Sequence, residues 1–324
     1  AYVNPKLSSC PGRNCLKTTQ KRCDRPGTPS FQCIHEICTT ALHHAKLLST
    51  IKPMKPNNKP QILLTNDDSI DSPGLWAAAE ALAPIGFVHV VAPRVQQTSM
   101  GRALPRESDG HIEPRTMTVR GQEWQVYAVG GSPAQAFLHG YYEVLGFKPD
   151  LVVSGINYGE NVASGVTISG TVGAALEAAT FGIPALAVSL QTPVQRHLDL
   201  SPEVDFSAAA YFTRYFAERM LRLELPFDVS VLKVDVPHDA TPQTPWVVTR
   251  QSRLRYYFPM PVETDAADGA RRISYTINLD EGTPEEDSDL HAVIIDHKVS
   301  VTPLSFDLTS RVDLDDLGKI LRQS

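Results

Sequence analysis

The segment that decides the fold reads QILLTNDDS over residues 61–69. Residues 62–65 form an apolar run without alternation, which is typical of a short strand buried on both faces. The chain then turns abruptly polar, with an amide followed by two adjacent carboxylates. Next come Ser72, Pro73 and Gly74, where serine can cap a helix and proline suits its first turn. These residues therefore predict a buried strand, a polar loop and a helix in succession.

The alternation of strand and helix continues over about 170 residues. Buried strands are predicted at residues 87–91, 151–153 and 185–188, short strands or a hairpin at 111–129, and helices from Ser132 towards residue 145, at 170–181 and at 202–223. Strands that alternate with helices favour a doubly wound, mostly parallel α/β sheet. We assign residues 61–237 to this domain.

After residue 237 the pattern changes to sparse strands and acidic loops. The predicted elements are strands at residues 246–250, 272–277 and 298–302 and a last helix at 314–321. We interpret residues 238–324 as a β-rich extension that acts as an oligomerisation arm.

Residues 1–60 differ from the rest of the chain in charge and cysteine content. They hold ten basic and two acidic residues and all five cysteines, with no C-x-x-C pair to indicate a zinc site. We interpret them as a disordered tail, or as non-native upstream sequence with Met54 as the natural start. A basic arm that contacts nucleic acid or an anionic surface is the alternative. Because this segment has no interleaved aromatic residues to stack bases, nucleic acid is not expected as a partner.

The composition of the remaining residues bears on cellular location. They contain no cysteine, which is typical of a cytoplasmic protein that needs no disulfides. No apolar run approaches the roughly 20 residues that a membrane-spanning helix needs, so no membrane partner is expected.

The first loop of the predicted domain is the strongest candidate for chemistry, because ligands of doubly wound folds bind beyond the carboxyl ends of the strands. Asp67 and Asp68 repel each other unless a positive charge lies beside them, and a divalent cation with oxygen ligands is a natural partner. The alternative is a polar turn in which Asn and Asp side chains bond their own backbone.

Three further loops carry polar groups at the same predicted edge. They supply the hydroxyls of Thr98 and Ser99, the amides of Asn157 and Asn161, and the helix start formed by Ser169, Gly170 and Thr171. Free N–H groups at a helix start bind anions. Taken singly, these segments are also compatible with a surface loop, a Gly/Asn turn and an ordinary serine N-cap. Together, the four loops indicate a metal-assisted reaction on a phosphorylated substrate.

Several longer motifs occur in a fixed order. They are ILLTNDD at residues 62–68, PDLVVSGINYG at 149–159, SGTV at 169–172, GIPA at 182–185 and VSVTPL at 299–304. This set resembles the SurE (survival protein E) family of metal-dependent 5'/3'-nucleotidases, over about residues 61–310. The resemblance implies a Rossmann-like domain with a C-terminal extension that exchanges between subunits, in a homodimer or homotetramer.

The resemblance also implies an activity and a metal site. The family releases phosphate from nucleoside monophosphates, and sometimes from short polyphosphate, with Mg²⁺ or Mn²⁺, which we expect as one ion per subunit. Its metal ligands match Asp67, Asp68, Thr98 and Asn157. The family usually has Ser-Gly at the third place, so Ser99 is the alternative to Thr98.

Three places in the chain depart from the family pattern. Ser69 stands where the family often has glycine, Gln135 replaces an aspartate, and Lys233 and Asp235 replace the two asparagines of L-N-V-N-V-P. None of these changes removes a predicted metal ligand, but the change at Gln135 bears on substrate preference.

We therefore predict hydrolysis of a phosphomonoester, with Asp67 and Asp68 as catalytic residues and Asp67 as general base. Asn66 and Asn161 are predicted to orient the ligand. The residues predicted to bind phosphate are Ser99, Ser169, Gly170 and Thr171. No general acid is identified, and we interpret His111, His139 and His238 as structural.

Other classes of protein remain as alternatives. A phosphatase with an aspartyl-phosphate intermediate usually shows D-x-D after its first strand, which this chain lacks. A metal-dependent nucleotide-sugar transferase, an acid phosphatase of broad specificity and a non-catalytic nucleotide-binding module are the others.

Overall fold

Residues 59–262, 272–279 and 282–323 are described in a computed structural model of the chain. All of them belong to one compact unit. The interpretation of the basic, cysteine-containing leader falls on residues outside the described ones, except for Lys59 and Pro60.

The described strands are β1 (Gln61–Thr65), β2 (Phe87–Pro93), β3 (Ile112–Val119), β4 (Gln122–Val129), β5 (Leu151–Tyr158), β6 (Ala185–Leu190), β7 (Val231–Val236), β8 (Trp246–Val248), β9 (Tyr257–Val262), β10 (Arg272–Ile277) and β11 (Val299–Leu304). The described α-helices are α1 (Pro73–Leu82), α2 (Pro133–His139), α3 (Gly170–Thr180), α4 (Ser207–Met220), α5 (Asp289–Ile294) and α6 (Leu314–Leu321). A π-helical segment, Gly140–Leu145, continues α2.

Nine of these strands form one sheet in the order β3-β4-β2-β1-β5-β6-β7-β11-β8. The run from β4 to β7 is parallel throughout, whereas β3 and β11 join as antiparallel neighbours. The order reverses direction at β1, from which β2 and β5 leave on opposite sides. Such a switch point is where doubly wound sheets form their ligand crevice.

Helices cover both faces of the sheet, and β1 shows how the sequence produces this arrangement. Ile62 and Leu64 pack into the core that contains α1 and α4, while Leu63 points into the core that contains α2 and α3. Successive side chains of a strand point to opposite faces, so a strand buried on both faces must be apolar at every position. The predicted α/β class with a mostly parallel sheet is confirmed.

Two elements of the extension were not predicted. The segment YFPMPV forms β9 although its two prolines argue against a central strand. Within the described residues β9 pairs with β10 alone, in a separate two-stranded sheet where such prolines are tolerated. The six residues of α5 are too few to show a helical period. The helix predicted at residues 202–223 is shorter and spans Ser207–Met220.

One strand of the extension joins the main sheet, and the helix that follows it lies outside the core. β11 pairs with β7, with Ser300 opposite Asp235, and so continues the sheet of the main domain. In contrast, α6 has no buried residue. None of the described helices combines the length and apolar content needed to cross a bilayer. The division at residue 237 and the oligomerisation role of the extension stay predictions.

Candidate active site

A cavity of about 340 Å³ lies where β1, β2 and β5 end. Because these strands are parallel, their carboxyl ends share one edge of the sheet. Six of the ten residues singled out from the sequence line the cavity: Asp67, Thr98, Ser99, Asn157, Asn161 and Ser169. The other four are buried outside its lining: Asn66, Asp68, Gly170 and Thr171. The structure thus brings the four predicted loops together.

The adjacent carboxylates of Asp67 and Asp68 are almost completely buried, with 3% and 1% of their surface exposed. Burial raises the pKa of Asp67 to about 6. Burial, together with the charge of Asp67, raises the pKa of Asp68 well above its usual range. The ion pairs of the described residues leave both carboxylates without a basic partner. A divalent cation would relieve this burial of like charge.

The first turn of α3 holds Asp67. The hydroxyl of Thr171 donates a hydrogen bond of 2.5 Å to Oδ1 of Asp67, and the backbone N–H groups of Gly170 and Thr171 lower the pKa of the same carboxyl. A Cβ atom at Gly170 would lie only 2.7 Å from Cβ of Asp67, so this close approach requires glycine. Ser169 accepts a hydrogen bond from the backbone N–H of Val172 as the N-cap. Of the three residues predicted at the helix start, only Ser169 lines the cavity.

Asp68 is held from two other loops. Its Oδ2 accepts a hydrogen bond from the backbone N–H of Tyr158 at 3.0 Å, and its Oδ1 accepts one from Nε2 of Gln96 at 3.3 Å. The same Gln96 nitrogen donates to the carbonyl of His197 at 2.8 Å. Gln96 was not singled out from the sequence; it connects Asp68 to the loop that follows β6.

Two asparagines are fixed by the backbone around them. Nδ2 of Asn157 donates to the carbonyls of Tyr158 and Gly159 at 3.2 and 2.6 Å, and its Oδ1 accepts no hydrogen bond within the described residues. This leaves the amide oxygen of Asn157 available at the cavity as a ligand. Asn66 differs, since its Nδ2 donates to the carbonyl of Ser69 at 2.9 Å and stabilises the turn that carries both carboxylates.

Asn161 joins the cavity to a buried group of charges. Its backbone N–H donates to Asp235 at 2.7 Å, and its Nδ2 donates to Ser189 at 2.8 Å. Asp235 in turn accepts from Nζ of Lys233, which also donates to Asp289 at 3.1 Å. Lys233, Asp235 and Asp289 are fully buried, so these contacts position the Asn161 backbone rigidly.

An aromatic wall of the cavity was missed in the sequence. It consists of Tyr257 and Tyr275 from the β9–β10 hairpin and His197, with the tyrosine ring centres 5.3 Å apart. Nε2 of His197 donates to the carbonyl of Thr192 at 3.0 Å, so its Nδ1 accepts the hydroxyl hydrogen of Tyr275 at 2.9 Å. Burial lowers the pKa of His197, in agreement with this neutral form. Tyr257 lies in β9, Tyr275 lies in β10 and His197 lies in the loop after β6, and none of them belongs to a motif that was singled out.

Glu160 is a further residue that sequence reasoning missed, although it directly follows the motif at residues 149–159. It lines the cavity and is only 2% exposed. The hydroxyl of Tyr256 donates to its Oε1 at 2.5 Å, while Oε2 has no hydrogen-bond partner within the described residues. Burial raises the pKa of Glu160 to about 7. A carboxylate between Gly159 and Asn161, in a glycine- and asparagine-rich loop, was the available sequence signal.

Known proteins resemble this chain over most of its length. The family model described as Survival protein SurE matches residues 62–257. A protein named 5'-nucleotidase SurE from Thermococcus gammatolerans is 39% identical over 81% of this chain and 96% of its own length. One of the same name from Archaeoglobus fulgidus is 43% identical over 79% and 95% of the two chains.

A solved structure is similar over the whole of its own length. The SurE protein from Aquifex aeolicus superposes with a TM-score of 0.63 at 30% sequence identity, and the match covers 81% of this chain and 100% of that one. The matched family model spans more than half of the chain and includes the β1 loop, the β5 loop and the start of α3. The chain therefore belongs to the SurE family.

Proposed function

We propose that this chain is a metal-dependent 5'-nucleotidase, which hydrolyses a nucleoside monophosphate to nucleoside and phosphate. The observation that carries the proposal is the pair of adjacent, buried carboxylates of Asp67 and Asp68, which have no basic partner within the described residues. Asp67 lines a cavity that hydroxyl and amide side chains also line. The relatives from Thermococcus gammatolerans and Archaeoglobus fulgidus are both named 5'-nucleotidases, which supports the same activity here.

The donor set fits a hard divalent cation. Asp67 and Asp68 offer carboxylate oxygens, Asn157 offers an amide oxygen that accepts no hydrogen bond within the described residues, and Thr98 offers a hydroxyl, with Ser99 as the alternative. Such oxygen ligands suit Mg²⁺ or Mn²⁺ better than softer metals. We propose one ion per subunit. When bound, it would neutralise charge on a phosphoryl oxygen and lower the pKa of a coordinated water.

The side chains at the cavity divide the remaining work. Asp67 lines the cavity whereas Asp68 does not, so we assign Asp67 as the general base that accepts the proton of the attacking water. Ser99, Ser169 and Asn161 face the same space and bind the phosphoryl oxygens, over which charge spreads in the transition state. Thr171 acts through Asp67 as a positioning residue.

The aromatic wall supports a nucleotide as substrate. Tyr257 and Tyr275 line the same cavity as Asp67 and offer ring surfaces to a base. Arg255 also lines the cavity and has no ion-pair partner within the described residues. The positive charge of Arg255 suits the additional phosphate groups of a short polyphosphate, which we propose as a second substrate.

The rivals differ in what they release. An aspartyl-phosphate phosphatase would trap phosphate on the protein, a nucleotide-sugar transferase would release none from AMP, and a non-catalytic binding module would turn over nothing. A phosphatase of broad specificity would cleave glycerol phosphate as fast as AMP. The aromatic wall favours the nucleotidase over this last rival.

We also propose that the chain forms a homodimer or homotetramer through its C-terminal segment. After β11 the chain carries seven large apolar side chains on its surface: Phe306, Leu308, Val312, Leu314, Leu317, Ile320 and Leu321. An eight-residue helix is marginal by itself, and α6 buries none of its residues in its own chain. A second copy of the chain is the occupant that we propose for this apolar face.

The test is phosphate release from AMP and glycerol phosphate, with Mg²⁺, Mn²⁺ or EDTA, for the native chain, Asp68→Asn and Asp71→Asn. Asp71 is an exposed carboxylate in the same loop and serves as the matched control. We expect EDTA and Asp68→Asn each to lower kcat for AMP by orders of magnitude, and Asp71→Asn to leave it unchanged. Mn²⁺ should raise the Tm of the native chain but not that of Asp68→Asn. Turnover by Asp68→Asn close to that of the native chain would contradict the assignment.

A further inference from the structure

His238, Asp239 and His297 form a cluster on the surface, separate from the residues assigned to the nucleotidase site. One ligand atom from each side chain lies within 4.8 Å of the others, and it is the one group of this kind within the described residues. His238 and Asp239 follow β7, and His297 lies in the turn before β11. β7 and β11 are antiparallel, with Asp235 opposite Ser300. His238 comes three positions after Asp235 and His297 three positions before Ser300, so both histidines lie at the same end of this strand pair.

We propose that His238, Asp239 and His297 bind a zinc ion, or a transition metal of similar softness. Two imidazoles and a carboxylate are the ligands that zinc takes in protein sites, and solvent would complete the tetrahedron. Mg²⁺ prefers all-oxygen sites, so the cation proposed for the active site is a poor competitor here.

The hydrogen bonds within the cluster already resemble those around a metal. Nδ1 of His297 lies 3.0 and 3.1 Å from the two carboxylate oxygens of Asp239. Two ligands on a tetrahedral zinc ion are about 3.4 Å apart, so the metal can replace the shared proton with little movement.

His238 is oriented from its other side. Its Nδ1 lies 3.1 Å from Oε1 of Gln191, which can only accept, so the ring donates there. The proton is thereby fixed on Nδ1, and Nε2 carries the lone pair that a metal needs. Nearly all metal-binding histidines donate their other ring N–H to an acceptor of this kind. The backbone of His297 is left-handed, with φ of 51°, which a non-glycine residue rarely adopts.

The experiment measures zinc binding to the full-length chain after alkylation of its five cysteines, so that thiolates do not compete. Isothermal titration with ZnCl₂ compares the native chain with His238→Ala, His297→Gly and His111→Ala. His111 is an exposed histidine outside the cluster and is the matched control. Any zinc taken up by the active site is common to all four proteins and cancels in the comparison.

We expect the native chain and His111→Ala each to bind one more zinc ion per chain than His238→Ala and His297→Gly. The part of the zinc-induced rise in Tm that comes from this site should appear in the native chain and in His111→Ala alone. Without zinc, His297→Gly should be at least as stable as the native chain, because glycine adopts a left-handed backbone freely. Its failure to bind zinc would then not reflect misfolding. Equal zinc stoichiometry and equal shifts in Tm for all four proteins would overturn the proposal.

Discussion

The hydroxyl of Thr171 donates a hydrogen bond of 2.5 Å to Oδ1 of Asp67, across 104 positions of the sequence. The backbone N–H groups of Gly170 and Thr171 also interact with this carboxylate. The first turn of α3 therefore faces a side chain of the protein. Helix N-termini favour negative charge, whether it belongs to a ligand or to a carboxylate. The start of α3 therefore orients a proposed metal ligand.

Replacing this donor should weaken metal binding more than it weakens the fold. We expect Thr171→Val to raise the Mn²⁺ concentration for half-maximal activity by about 10- to 100-fold, the usual cost of losing a partner of a metal ligand. Saturating Mn²⁺ should restore most of kcat, because the backbone donors remain. Metal titrations of phosphate release measure this effect. The control is Thr180→Val, which removes a hydroxyl at the exposed end of the same helix that donates to the backbone carbonyl of Glu177. Equal metal dependence in Thr171→Val and Thr180→Val would refute the prediction.

Glu160 should make stability depend on pH. Its pKa, raised by burial from 4.5 to about 7, means that the folded chain keeps a proton that the unfolded chain loses. Stability from this group is therefore complete below pH 4.5 and is lost as the pH rises through 7, by about 3 kcal/mol at most. Glu160→Gln removes this dependence, so its stability relative to the native chain should increase between pH 4.5 and 8.

Urea unfolding at pH 5 and pH 8 measures the difference, and Asp67 and Asp68 contribute to both proteins alike. Glu107→Gln, at an exposed carboxylate, serves as the control and should show no such change. A stability difference between Glu160→Gln and the native chain that stays constant with pH would show that Glu160 is ionised in the folded chain.

The central sheet could be predicted because burial on both faces leaves an unmistakable pattern. Residues 62–64 and 185–188 are apolar at every position, and both lie within central strands. The β9–β10 hairpin could not be predicted in the same way. It packs over the cavity with prolines and polar residues, and its place depends on contacts such as that of Tyr275 with His197, 78 positions away.

The same distinction applies to the site. Adjacent carboxylates and a Gly/Asn motif mark chemistry locally, so Asp67, Asp68 and Asn157 could be singled out. Which group each donor serves is a property of the packing. Thr171, which the helix start marked as a phosphate ligand, contacts Asp67, and only the folded structure shows that it is buried outside the cavity lining.

Two departures from the family pattern occur together because their side chains compensate each other's charge. Lys233 and Asp235, which stand where the family motif has two asparagines, form a fully buried ion pair. Lys233→Asn alone leaves the Asp235 charge buried without its partner, and should lower the free energy of unfolding by about 3–5 kcal/mol. Ser69, in place of a frequent glycine, keeps a positive φ of 100°.

The double variant Lys233→Asn/Asp235→Asn should regain part of this loss, since it removes the unpaired charge of Asp235. Asp289 loses Lys233 in both variants and keeps the backbone N–H of Ser252 as a donor. Urea unfolding of the two single variants and the double variant measures the coupling. Arg214→Ala, which breaks an exposed pair with Glu218, should cost at most about 1 kcal/mol. Losses in the double variant equal to the sum of the single losses would show that the two positions are independent.

The exposed face of α6 should hold the oligomer together. Leu317 and Ile320 lie one turn apart and are 39% and 62% exposed in the single chain. The double variant Leu317→Asp/Ile320→Asp places two charges on the apolar face that a second copy is proposed to cover, so we expect a monomer of 35.5 kDa by light scattering after size exclusion. Lys319→Asp changes the charge on another face of the helix and should leave the native mass unchanged. A native chain that is already monomeric, or a double variant of unchanged mass, would exclude α6 as the contact between subunits.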